Sequence, residues 1–210
     1  MTAMFRILIF VALHAALAGC NSLLGPKSSS TLYAPTPQLH ADAAWPTVNW
    51  PLGMVRPAAP RILDSTRIAV RPVPGELQVY KDAMWASPPP DMLEDAVLRA
   101  LEDSGRIPAV ARQGSGIAAE YRLAMEIRHF EADYQGDATP SAIVEVNAKL
   151  LHARDQSVAG NRTFRHAQPA ASTEVASVAG AFEQALGAMA RDIAGWTLAT
   201  GEAHRKQAHP

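Results

Sequence analysis

Between Ser172 and Ala199 apolar residues recur every three or four positions: Val175, Val178, Phe182, Leu186, Met189, Ile193 and Trp196. That spacing predicts one helix of about seven turns with a single apolar stripe. A helix so long and one-sided needs a broad apolar surface to lie on. The stripe therefore reads as a core face, with self-association as the other use its length permits.

Upstream, "YRLAMEIRHFEADY" alternates, with Tyr121, Leu123, Met125 and Ile127 on one side and Arg122, Glu126 and Arg128 on the other. "SAIVEVNAKLL" repeats the pattern, setting Ala142, Val144, Val146, Ala148 and Leu150 against Glu145, Asn147 and Lys149. "SVAGNRTFRHA" is a third, weaker run. Successive half-polar strands joined by short turns such as "ARDQ" predict an antiparallel sheet with one wet face. Before them, "RIAVRPVPGELQVY" predicts strands over Arg67–Arg71 and Leu77–Tyr80 around a Pro-Val-Pro-Gly turn, which makes a hairpin. "WASPPPDMLEDAVLRALEDSG" predicts a helix with Pro90 in its first turn, an apolar face of Met92, Leu93, Ala96, Val97, Ala100 and Leu101, and Gly105 as its stop. Asp91, Glu94 and Asp95 read as a solvated cap near the positive helix end rather than as a metal or acid–base cluster. A short strand is expected over Ala109–Ala111. The order of strands, helix, strands, helix predicts an α+β fold, a largely antiparallel sheet with two helices packed on one face.

At 210 residues, 48% hydrophobic and with a formal charge of −1, the chain suits one ordinary domain. No basic block offers a phosphate-tracking surface, so nucleic acid is not an expected partner. Met1 to Arg6 followed by the apolar run Ile7–Ala18 has the form of a secretory signal, with a core too short to span a bilayer. No later apolar run is long enough for a transmembrane helix.

Directly after that core stands Leu17-Ala18-Gly19-Cys20, which holds the sole cysteine of the chain. It looks like the lipobox of bacterial lipoproteins, in which residues 1–19 are removed and Cys20 is acylated with chains such as palmitate. An exported chain with one cysteine cannot form an internal disulfide. Cys20 is thus the lipidation site, and two or more acyl chains anchor stably where one does so marginally. Asn21, in place of the Asp that tends to retain lipoproteins at the inner membrane, favours the outer membrane facing the periplasm.

Residues 20–60, rich in Pro, Ser and Ala, read as a spacer. From Asn21 to Thr31 it could reach on the order of 35 Å. Trp45 and Trp50, each followed by proline, leave Val48–Val55 open as either an edge strand or a loop packed by its tryptophans. The domain is expected over residues 61–200, with a polar, frayed tail at 201–210.

The motifs of chemistry are missing. His129, His152 and His166 lie in or beside strands without metal-ligand spacing, so no metal or cofactor is expected. No GxSxG elbow, P-loop or GxGxxG occurs, and "GSG" at Gly114–Gly116 is a turn.

"ILDSTRIAVRP", "MWASPPPDMLEDAVLRAL", "YRLAMEIRHFEAD", "AIVEVNAKLL" and "VASVAGAFEQALGAMARDIAGW" together resemble the ABC-type transport auxiliary lipoproteins, the paraquat-inducible protein C-like group, over about Arg61 to Ala199. In that family a Trp opens the first helix and an aromatic–acid pair ends a central strand. Trp85 and Phe130-Glu131 match, and are assigned to packing and strand ending. The family's first strand commonly follows the anchor in a Tyr-x-Leu-like segment. Here Tyr33-Ala34-Pro35 is followed by prolines, which leaves the first strand's position open. The resemblance implies an outer-membrane-anchored, periplasmic accessory subunit, not an enzyme, that works with an MCE-domain protein and ABC transporter subunits in moving lipids or other hydrophobic molecules. The other readings of the residues are an activator of a cell-wall synthase, an envelope-assembly lipoprotein, or a lipid-binding carrier.

Overall fold

The computed structural model describes residues 30–208. Cys20 and the signal segment lie outside them. In chain order the elements are β1 (Thr31–Tyr33), β2 (Leu52–Met54), β3 (Arg67–Arg71), β4 (Gln78–Trp85), α1 (Pro89–Glu102), β5 (Val110–Arg112), β6 (Tyr121–Asp133), β7 (Ser141–His152), β8 (Val158–Pro169) and α2 (Val175–Ala208). All eight strands join one sheet.

The architecture is α+β, but the sheet is mixed rather than largely antiparallel. Strands joined by short turns pair antiparallel as expected: β3 with β4, β6 with β7, and β7 with β8. The pairs β1–β4, β2–β5, β2–β6 and β3–β6 are parallel. Parallel neighbours need long crossover connections, and local alternation carries no trace of such partners. β6 is the hub. One of its edges is filled by β7 from Tyr121↔His152 to Asp133↔Ser141. The other is shared by β2 opposite Tyr121–Leu123, a single bridge at Ala58↔Glu126, and β3 opposite Ala132–Asp133.

The inward phase of β6 changes along its length. Tyr121, Leu123, Met125 and Ile127 are buried, and then Phe130 and Ala132. A bulge between Ile127 and His129 absorbs one residue and restores the pairing with β7. Phe130 thereby enters the core, stacking on Phe182 at 4.8 Å while Trp85 meets Phe182 edge-on at 5.2 Å and Phe130 at 6.1 Å. Trp85 closes β4 rather than opening α1, and Phe130-Glu131 lies inside β6, which runs on to Asp133. Packing of the two aromatics is as expected; strand ending is not.

α1 starts with Pro89 and Pro90 in its first turn and buries the six apolar residues read from its periodicity. α2 buries Val178, Phe182, Leu186, Met189 and Ile193, and both helices share one apolar cluster with the inward side chains of the strands.

Two departures concern the ends of the domain, and they have one cause. The folded unit starts at Thr31, so the stretch read as spacer up to residue 60 is folded from there on. Its residues 31–33 form β1, the strand whose place the prolines obscured. Within Val48–Val55 the strand is Leu52–Met54, and it lies between β5 and β6 instead of at an edge. Trp50, Leu52 and Met54 are fully buried. At the other end, α2 continues through residues expected to fray. A side chain as small as a methyl on Gly195 would collide with the Trp45 indole, and one on Gly201 with the Trp50 indole. The supposed spacer's tryptophans are seated on α2, and their packing stabilises its last turns.

Alanine at Gly201 or Gly195 should therefore destabilise the protein by about 1–3 kcal/mol through overpacking, against the ~1 kcal/mol by which Ala favours a helix over Gly. Gly180, exposed in the same helix with nothing within 4 Å of the position a Cβ would take, is the control. Gly180→Ala should stabilise by roughly 0.5–1 kcal/mol. Urea melts of the three variants check the opposite signs.

Candidate functional site

The inward face of β6–β8 is occupied by the apolar cluster and α2. The outward face is polar. Register places Ala124, Lys149 and Asn161 in one rung, Glu126, Asn147 and Thr163 in the next, then His129, Glu145 and Arg165, then Glu131, Ile143 and Ala167. Glu126, Arg128, Lys149, Asn161, Thr163 and Arg165 are exposed.

Hydrogen bonds tie the rungs. Asn147, buried although it is on this face, donates through Nδ2 to Asn161 Oδ1 at 2.9 Å and Thr163 Oγ1 at 3.0 Å. Arg165 meets Glu145 at 3.6 Å. The most buried carboxylate is Glu131, which lands outward because the bulge turned Phe130 inward. Its Oε2 accepts from Phe130 N–H at 2.8 Å, and its Oε1 contacts His129 Nδ1 at 2.7 Å and Arg71 Nη2 at 3.1 Å. The result is a polar surface tied by cross-strand hydrogen bonds, with charges of both signs.

A second polar region is a depression of about 820 Å³ where β6 begins and β7 ends. Tyr121 lies at its floor, with its hydroxyl hydrogen-bonded to His204 Nδ1 at 3.0 Å and its ring 5.5 Å from His152. Burial raises the Tyr121 hydroxyl above its ordinary pKa. His152 Nδ1 meets Asp155 Oδ1 at 2.9 Å. The Ser157 backbone N–H and hydroxyl, and then His152, hold that carboxyl well below the usual carboxylate range. Arg205 is paired with Glu202 at 3.1 Å. Of these pairs the Tyr121–His204 hydrogen bond joins the end of α2 to the sheet, while His152–Asp155 lies within the β7–β8 connection and Arg205–Glu202 within α2.

The histidines singled out in the sequence are not brought together. His129 serves Glu131, His152 serves Asp155, and His166 reaches Asp192 of α2 at 3.1 Å. Among the described residues no three His, Cys, Asp or Glu side chains are placed to hold a metal ion. His204 escaped the sequence reading because it was assigned to a frayed tail. The acidic trio of α1 is not simply solvated. Glu94 is buried and meets Arg112 at 3.3 Å, and Asp95 pairs with the same guanidinium. Asp91 joins Asp64 on Arg56, each at 2.7 Å, and the Arg56 hydrogen bond lowers the Asp64 carboxyl pKa. No helix among the described residues is long and apolar enough to cross a membrane.

The domain is thus a mixed sheet backed by two helices, with a polar outer face on which titratable groups are paired. The family model for the ABC-type transport auxiliary lipoprotein component matches residues 31–194, and the chain belongs to that family. The match starts at β1, thirty residues before the resemblance noticed in the sequence. A crystal structure of a Xanthomonas campestris protein of the DUF330 family is 53% identical, with a TM-score of 0.82 over 84% of this chain and 99% of that one. A second crystal structure, of an uncharacterized protein, is 13% identical with a TM-score of 0.60, over 79% of this chain and 97% of that one, and shares the fold. An uncharacterized protein of Bradyrhizobium diazoefficiens is 25% identical over 87% of this chain. The chain spans about half, 49%, of that relative's length.

Glu131→Ala should destabilise the protein by about 2–4 kcal/mol, since it strips a buried carboxylate from Arg71, His129 and the Phe130 N–H. Glu126→Ala, on the same face but exposed, should stay within about 0.5 kcal/mol. In a double-mutant cycle, Arg71→Ala should cost measurably less once Glu131 is already Ala; equal costs in both backgrounds would mean that the pair is uncoupled.

Proposed function

We propose that the protein is an outer-membrane-anchored, periplasm-facing accessory subunit of an ABC transporter that moves lipids or other hydrophobic molecules together with an MCE-domain protein. It acts by docking rather than by catalysis. Cys20 is the proposed acylation site, freed by removal of residues 1–19, and the acyl chains hold the folded unit at the membrane. Tethering raises the effective concentration of the domain at a partner on the same membrane or across the periplasm.

The observation that carries this reading is the outer face of β6–β8, polar and charged in both signs, on a chain whose family is an auxiliary component of ABC transport. A surface of that kind contributes orientation and selectivity of contact more than bulk affinity.

Crosslinking in native membranes, affinity capture of the full-length acylated protein and mass spectrometry of its partners test the proposal. MCE-domain and ABC subunits should be recovered, and a Cys20→Ala form should recover several-fold less of them. Recovery of cell-wall synthases without an MCE-domain protein would replace this function with enzyme activation. Stoichiometric phospholipid retained by the isolated monomer would replace it with lipid carriage.

A further inference from the structure

Strand register defines the end of the sheet from which the chain enters β1. β1 runs parallel to β4, with Thr31 beside Ala83 and Tyr33 beside Trp85. β4 is antiparallel to β3, and β3 is parallel to β6, with Arg71 opposite Asp133. β1 is therefore antiparallel to β6 and is entered from the end where β6 finishes. The β3–β4 turn, residues 72–77, and the β6–β7 turn, residues 134–140, lie at this end. The β7–β8 turn, beside Tyr121, lies at the other.

The β3–β4 turn presents apolar side chains to solvent. Val73 is 47% exposed and Leu77 39%, and Pro74 between them is exposed as well. Glu76 N–H donates to the Val73 carbonyl at 3.2 Å, with Pro74 and Gly75 at the centre of the turn and Gly75 at a φ of 88°. Proline followed by a positive-φ glycine is what a type II turn requires, and it holds Val73 and Leu77 on either side of a fixed tip. Leu32, 65% exposed, stands on β1 itself. Of the six large apolar side chains exposed among the described residues, these three belong to the strand nearest Cys20 in the chain and to the hairpin that it pairs with.

Ile117 and Val158 are exposed towards the opposite end, so exposure alone does not choose between the two. Chain length does. Asn21 to Thr31 spans on the order of 35 Å at full extension. Thr31 stands near the level of His129, because Arg67 pairs with Met84 and Val70 with Ala132. The β3–β4 turn is thus roughly 10–15 Å away along the strands, and the level of Tyr121 roughly 25–30 Å away in the other direction. To bring that far end to the anchor, the segment would have to reverse at Thr31 and run back for nearly its whole length. The charged residues of the two near turns are Glu76 and Asp137, both exposed. A contact made here therefore draws on apolar burial, not on attraction to anionic lipid.

We infer that the tip of the β3–β4 hairpin touches the lipid surface to which Cys20 tethers the chain, with Val73 and Leu77 among the headgroups. This rests on the reading of Cys20 as the acylated anchor and adds an orientation to it. The acyl chains hold the domain at the membrane, and the tip sets which end faces it. The β7–β8 turn, the end of α2 and the depression beside Tyr121 then face away from the lipid.

The test uses the full-length acylated protein, its acylation checked by mass, on vesicles of phosphatidylethanolamine and phosphatidylglycerol that carry a lipid spin-labelled at the headgroup. A fluorophore is attached at Val73→Cys, at Leu77→Cys or, in the β7–β8 turn, at Arg154→Cys. All three proteins should float with the vesicles, and the spin label should quench the first two about fivefold more than the third. In a Val73→Glu, Leu77→Glu background, a fluorophore at Glu76→Cys should lose about fivefold of its quenching, while flotation and melting temperature stay unchanged. Equal quenching at Arg154→Cys, none at Val73→Cys and Leu77→Cys, or quenching that survives the two glutamates, in protein that floats, would overturn the inference and leave the anchor standing. Protein that carries no acyl group, or does not float, would overturn the anchored reading and the inference with it.

Discussion

The bulge between Ile127 and His129 is the feature on which both faces of the sheet depend. β6 carries its inward apolar residues at odd positions up to Ile127 and at even positions from Phe130. A regular strand cannot satisfy both sets, because a slip of one residue sends every later side chain to the other face. Had the strand stayed regular, Phe130 would face solvent and Glu131 the apolar core. The extra residue instead brings Phe130 onto Phe182 and Trp85, and places Glu131 where Arg71 and His129 can reach it. One local irregularity therefore joins β4, β6 and α2 inside and orders the polar network outside.

That arrangement also explains how a small domain offers a firm surface. β6 is paired along both edges, by β7 on one side and by β2, Ala58 and β3 on the other. Its outward side chains are therefore fixed at their roots, with the charged ends of Glu126 and Arg128 in water and that of Glu131 buried. The core stiffens the sheet from behind through α2, which packs small residues and aromatics against β7 and β8.

Much of the fold was legible locally. Periodicity located α1, α2, β6 and β7, since each buries one face and repeats that pattern over many residues. β3 and β4 were legible as a hairpin, although β4 extends past Tyr80 to Trp85. The outer face was legible as polar, but not the burial of Asn147 and Glu131 within it. Those depend on cross-strand neighbours, Asn161 and Thr163 for one and Arg71 from β3 for the other. Glu94 is a similar case: its burial follows from Arg112 of β5, which no helical spacing could foretell.

The sequence by itself determined the α+β class, the two amphipathic helices, the alternating strands and the motif around Cys20, because each rests on residues close in the chain. Only the tertiary structure decided which strands run parallel, where the domain begins and where α2 ends. These depend on contacts between distant segments. Trp45 and Trp50, in a proline-rich stretch with no period of its own, are ordered because Gly195 and Gly201 leave room for their rings on a helix some 150 residues later. In the linear chain those glycines look like weak points of a helix; folded, they are the seats that make the segment from Thr31 part of the domain.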